Sequence, residues 1–250
     1  MPTQEAAALF EHAQRVRAQV EGLRATALRL KRADGMSLTV GAGASVANWP
    51  APRALARVKE KLTGLTLRLN TLSIAEMDNF LLDGAGDAVL ALQPLDHSAL
   101  ETEQVGNIPL LCAVPRDHTL AGEAFVTAER LKKYQIIDFG LSPYGNAIRA
   151  AFAGSSHVAV FARFAANAVT SVDAGLGLAL VDACALVGSH TASLVSIPFY
   201  PEVTFSVHLI VARRSGPSTA IRAFAAALRA ELTTPPWLER KQGAQQAVPI

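Results

Sequence analysis

The sequence predicts an α/β protein: a parallel, doubly wound sheet covered on both faces, preceded by one long helix. Three observations point there. From residue 36 onward, short apolar or alternating runs that read as strands take turns with segments of helical periodicity. Several of these strand runs are apolar throughout, as strands buried on both faces are. Before residue 36 the texture differs, because residues 3–32 contain no Pro and keep a heptad-like repeat.

In that first segment Leu9, Ala13, Val16, Val20, Leu23, Ala27 and Leu30 are spaced alternately four and three apart. This 3.5-residue repeat is the pattern of a helix seam against a partner helix. Gly22 and the two Ala seam positions weaken it, so it reads either as a seam supported by its surroundings or as an amphipathic helix packed on its own domain. Ala33-Asp34-Gly35 is a stop signal.

Ser37–Val40 is the first strand, leading into the small-residue loop Gly41-Ala42-Gly43-Ala44-Ser45. A helix over 51–62, a strand over 65–69, a helix over 73–83 and buried strands over 88–92 and 108–114 follow. The second half predicts helices over 127–133, 144–153 and 167–174. Its strands fall over 135–139, 158–164, 177–182, 194–199 and 203–212. A last helix over 217–232 buries Ile221, Phe224, Ala225 and Leu228, and residues 233–250 have no periodicity and read as a disordered tail.

Composition excludes several functions. Half of the 250 residues are hydrophobic, and 23 Lys and Arg against 21 Asp and Glu give a net charge of +2, too balanced to announce a nucleic-acid binder. Residues 1–33 hold the excess, with six basic and three acidic groups. Cys112 and Cys184 lie in apolar runs, apart from any metal spacing, and read as small buried hydrophobes. The N-terminus shows no secretory signal and no apolar run reaches the roughly 20 residues of a membrane span, which predicts a cytoplasmic protein. Six scattered histidines offer no metal motif and no cofactor is expected. Gly41-Ala42-Gly43 begins a dinucleotide fingerprint, but Val46 stands where its third glycine belongs, and no nucleophile elbow or phosphate loop occurs. The protein is not expected to be an enzyme.

Three strand-to-helix turns are candidate ligand contacts: Ala44-Ser45-Val46, Gly140 to Tyr144, and Ala165-Ala166-Asn167. Ser142 suits an N-cap, Pro143 the first helical position, and Asn167 a second cap. Helix N-termini favour anions, so each turn either caps its helix or contacts a carboxylate.

Several stretches together resemble the LysR-type transcriptional regulators. Pro2 to Ala6 and the following helix resemble that family's linker helix, and Ser37–Gly41 its first effector-domain strand. Leu81 to Val89 is similar to its helix ending in Gly, with an Asp opening the next strand. Leu110 to Ala121 resembles its strand and Pro-x-x-His-Pro-Leu-Ala crossover, and Ala174 to Val181 its Ala-Gly-x-Gly-Ile-Ala turn. Thr63, Thr119 and Asp182 depart from it, each replacing a usual Pro.

The resemblance implies two Rossmann-like subdomains joined by two crossover strands, as in periplasmic binding proteins. Residues 1–34 would be the linker helix, 36–114 with 206–232 subdomain I, and 115–205 subdomain II. A small anionic or zwitterionic effector, amino-acid-like or a carboxylate, would bind in the cleft between them. Ala44, Ser45, Val46, Thr71 and Gln93 would face it from subdomain I; Asp138, Ser142, Tyr144, Ala166, Asn167 and Asp182 from subdomain II. Asp138 either meets a ligand amine or caps its loop. The expected partners are a second copy, as homodimer or homotetramer, and the effector. DNA would be reached only through a winged helix-turn-helix, which these residues lack. The rival expectations are a periplasmic-type solute receptor and a DNA-less partner of a full-length regulator.

Overall fold

The computed structural model describes residues 37–140, 143–151, 157–188, 192–213 and 218–233, together with Thr3, Leu9, Phe10, Ala13, Val16 and Val20. Leu9, Ala13, Val16 and Val20 are helical and exposed. Leu23, Ala27 and Leu30, like the expected tail, lie outside the described residues.

The first unit begins with β1 (Ser37–Ala42), whose last five residues are buried. It is followed by α1 (Ala44–Asn48), α2 (Ala51–Lys61), β2 (Thr66–Thr71), α3 (Ile74–Leu82) and β3 (Ala88–Ala91). β1 pairs in parallel with β2 on one side and β3 on the other. The Asp recognised in the sequence joins them, since Asp87 Oδ2 accepts the Thr39 N–H at 2.7 Å. α3 starts with a capping arrangement in which Glu76 Oε2 accepts the Ser73 N–H at 2.7 Å and its hydroxyl at 2.6 Å.

β4 (Leu100–Pro115) is far longer than the predicted 108–114. Its first half carries Glu101, Thr102, Glu103 and Gln104, exposed polar residues that conceal a strand from any hydrophobic count. This half pairs antiparallel with β10 (Thr204–Ala212), from Leu100 opposite Ala212 to Pro109 opposite Thr204. Its second half pairs antiparallel with β8 (Ala179–Asp182) and β9 (Leu194–Tyr200). Thus the sheet is mixed and not wholly parallel. β10 runs antiparallel between β3 and β4 in the first unit, and β4 runs antiparallel to its partners in the second.

The second unit adds β5 (Val126–Thr127), α4 (Ala128–Leu131), β6 (Gln135–Asp138), α5 (Pro143–Ala151), β7 (His157–Phe161), α6 (Ala165–Asp173) and α7 (Ala183–Gly188). β6 and β7 pair in parallel, and Ile136 bridges Leu178 ahead of β8. The glycine turn before β8 needs its glycines, because Gly175 has φ +80° and Gly177 φ +137°. α7, absent from the sequence expectation, forms because Asp182 Oδ1 accepts the Ala185 N–H at 3.2 Å. α8 (Thr219–Thr233) returns to the first unit and buries Ile221, Phe224, Ala225, Leu228 and Leu232 along one stripe.

Burial follows this division. One core lies among β1, α1, α2, α8 and parts of β4 and β10. A smaller one holds α3 on the opposite face of the same strands. The third lies among β4, β6, β8, β9 and α6. α7 touches two of them, with Ala183 and Cys184 in the first core and Ala185 in the third. Full burial of a side chain such as Phe224 contributes about 2–3 kcal/mol.

Candidate functional site

β1, β2 and β3 are parallel, so their C-terminal ends share one edge, where ligands gather in open α/β sheets. Gly43, Ala44 and Ser45 follow β1, Leu72, Ser73 and Ile74 follow β2, and Leu92 and Gln93 follow β3. From the second unit come Phe139 after β6, Ala147 on α5, and Arg163, Phe164 and Ala165 between β7 and α6. With Met77 and Phe205 these residues enclose a cleft of about 410 Å³, within the size range of small-molecule sites. A second hollow of about 300 Å³ lies between α8 and the outer face of β4 and β10. Its lining includes the Arg229–Glu103 ion pair.

The cleft is apolar in body and, among the described residues, carries one charged side chain, Arg163. Its guanidinium carbon stands 5.3 Å from the centre of the Phe164 ring. Glu76, nearby on α3, is held below the ordinary carboxylate range mainly by the hydrogen bonds from Ser73, with a smaller contribution from the Arg163 charge. Two of the helices that open onto the cleft begin without a side-chain cap, at Gly43 before α1 and Phe164 before α6.

The structure brings together Ala44, Ser45 and Gln93 of the sequence candidates. Val46 is fully buried in the first core, and Thr71 is exposed at the end of β2, where its neighbour Leu72 lines the cleft instead. Asp138 is engaged internally: Arg149 Nη1 donates to its two oxygens at 3.1 and 3.2 Å, and the Phe139 N–H donates at 2.6 Å. Asn167 is not a cap; α6 starts at Ala165, so Asn167 lies exposed in its first turn beside half-buried Ala166. Asp182 is wholly buried at the head of α7 and does not line the cleft. Ser142 and the Tyr144 side chain lie outside the described residues.

Sequence reasoning missed Arg163 and the rings of Phe139, Phe164 and Phe205. The first three sit beside turns that were singled out, one or two residues away, and nothing in a turn's composition says which neighbour points across a cleft. Phe205 reaches it from β10, a strand distant in sequence. Among the described residues, no group of three His, Cys, Asp or Glu is placed to hold a metal ion, and no helix is long and apolar enough to cross a membrane.

The family model of the LysR substrate binding domain matches residues 31–233. The RuBisCO operon transcriptional regulator of Allochromatium vinosum is 33% identical over 88 residues, which are 35% of this chain and only 29% of that protein. Among solved structures, HinK, a LysR family transcriptional regulator from Pseudomonas aeruginosa, superposes with a TM-score of 0.70 at 19% identity, over 92% of this chain and 81% of the other. The BenM effector binding domain with its effector benzoate superposes at 0.67 with 20% identity, over 80% and 96%. The reduced OxyR regulatory domain from Pseudomonas aeruginosa gives 0.71 at 18%, over 81% and 99%.

Proposed function

Because the chain belongs to the LysR substrate-binding domain family, a family of transcriptional-regulator domains and not of enzymes, we propose that it senses a small anionic or zwitterionic metabolite and so controls transcription from the cytoplasm. The observation that carries this reading is the 410 Å³ cleft, bounded on one side by the strand ends of the first unit and on the other by Phe139 and Arg163–Ala165 of the second. BenM binds benzoate as its effector, which makes a carboxylate a natural first ligand class to try.

In this reading residues 36–114 with 206–232 form one subdomain and 115–205 the other. Effector binding favours one angle between them over another, as differential affinity for two states requires. Residues 1–34 pair two copies through the seam of Leu9, Ala13, Val16 and Val20, continued by Leu23, Ala27 and Leu30. DNA contact belongs to a winged helix-turn-helix outside these residues.

Thermal unfolding of the intact chain against a metabolite collection tests the sensing role. A ligand present at 100 times its Kd adds about 2.7 kcal/mol, a readily visible shift. A collection of acids, amino acids and sugars that moves nothing counts against it. Light scattering on the chain with and without residues 1–34 tests the pairing: equal monomer masses refute it.

A further inference from the structure

We infer that the cleft selects a monocarboxylate with an aromatic or otherwise apolar body and no amino group, and that Arg163 is the residue that recognises its carboxylate. This rests on the cleft reading above and narrows its ligand class. Three aromatic rings (Phe139, Phe164 and Phe205) and the side chains of Leu72, Ile74 and Met77 supply the large apolar groups of the wall. Such a surface gains from burying a flat apolar body and offers it little to hydrogen-bond.

The charge pattern is one-sided. Among the described residues Arg163 is the single charged one on the wall, and no Asp or Glu lines the cleft. Among the described residues the guanidinium makes no ion pair; its recorded contact is with the Phe164 ring, which leaves its N–H fork open to a carboxylate. An ammonium entering beside that carboxylate would lose water and meet no acid. The nearest acid by its electrostatic effect, Glu76, already accepts two hydrogen bonds from Ser73 and lies off the wall. Among the described lining residues only the uncharged Ser45, Ser73 and Gln93 could face an ammonium there, and none supplies the opposite charge that would offset its lost hydration, so the cleft favours the acid over the zwitterion. A second carboxylate would find no second cation among the described lining residues.

Three compounds that share one skeleton separate these demands: 3-phenylpropanoate, its neutral carboxamide, and phenylalanine. Isothermal titration on the intact chain is expected to rank the acid about tenfold or more above both others. Arg163→Met is expected to remove that preference and Arg163→Lys to restore part of it. Both variants should unfold at the temperature of the parent, because Arg163 is exposed at the cleft mouth. Phenylalanine binding as tightly as the acid, an amide equal to the acid, or an Arg163→Met variant that keeps the preference each overturns the inference. So does a cleft that ignores all three compounds. If a sugar or a cation from the wider collection then stabilises the chain, the sensing role survives without this ligand class. If nothing in that collection binds, both fall.

Discussion

Glu231 offers the sharpest test of how the first unit holds its last helix. Its carboxylate is 7% exposed on α8 and faces two arginines of α2, with Arg53 Nε at 3.1 Å from one oxygen and Arg57 Nε at 2.5 Å from the other. The arginines are 64% and 50% exposed, so they rehydrate freely when released, whereas the carboxylate cannot. Removing one arginine leaves the acid paired with the other, and Arg53→Met or Arg57→Met alone should cost about 0.5–1 kcal/mol, the upper range for a partly exposed pair. Removing both strands a buried charge and should cost about 3 kcal/mol or more. Glu231→Gln, which removes the buried charge itself, should fall between, at about 1–2 kcal/mol. The double loss should therefore exceed the sum of the singles by roughly 1 kcal/mol or more, the signature of residues sharing a partner. Urea unfolding monitored by circular dichroism reads these values directly, and 1 kcal/mol corresponds to about 2–4 °C in Tm for a domain of this size. Singles that add to the double within about 0.5 kcal/mol would refute the shared-partner argument.

Other outcomes follow from single positions. Gly177→Ala places a Cβ 2.7 Å from the Gln135 carbonyl oxygen at φ +137°, and should lower stability by about 2–3 kcal/mol in the same urea assay; a loss under half of that contradicts the turn geometry. Gly41→Ala would set its Cβ against Leu72 Cδ1 and the Phe80 ring, forcing a shift of Leu72, which lines the cleft, so ligand affinity measured by titration should fall more than stability does. Burial holds the His208 imidazole below its ordinary range, so the unfolded chain takes up the proton first. Stability should fall as pH drops below about 6.5, and His208→Gln should flatten that part of the profile. Burial pushes the Cys112 thiol up to about 12, and Cys184 is raised by burial and by the Asp182 charge. Ellman's reagent at pH 8 should therefore leave the folded chain untouched and label both thiols in urea.

The parts of this fold legible in the sequence are those where local chemistry decides. The run from Leu81 to Val89 announced a helix end and a strand start, and Gly84 at φ +71° with Asp87 bonded to Thr39 shows why those residue types stand there. His118 likewise accepts the Leu120 N–H at 3.2 Å through Nδ1, closing the turn that its motif suggested. The illegible parts are those where a distant partner decides. The first half of β4 is a strand because β10 pairs with it, whatever its polar residues prefer. In the cleft the small residues Ala44 and Ser45 were readable as a turn, but Arg163 became a candidate only once the second unit was folded against the first. Asp138 shows the converse: a buried acid near a cleft looks like a ligand group until Arg149 is found holding it.

The place of β10 between β3 and β4 also has a consequence for biogenesis. The first unit is the first to be made, yet the strand that joins its β3 to β4 is delivered only after all the other strands of the second. Until then β3 has an open edge along Val89–Ala91, and Phe224 and Leu228 are missing from its core. Synthesis thus presents an incomplete sheet with an apolar, unpaired strand, the kind of edge that chaperones shield and that aggregates copy. A chain stopped before Thr204 loses more than its tail; both units would be left without the strand that closes the first and the helix that covers it.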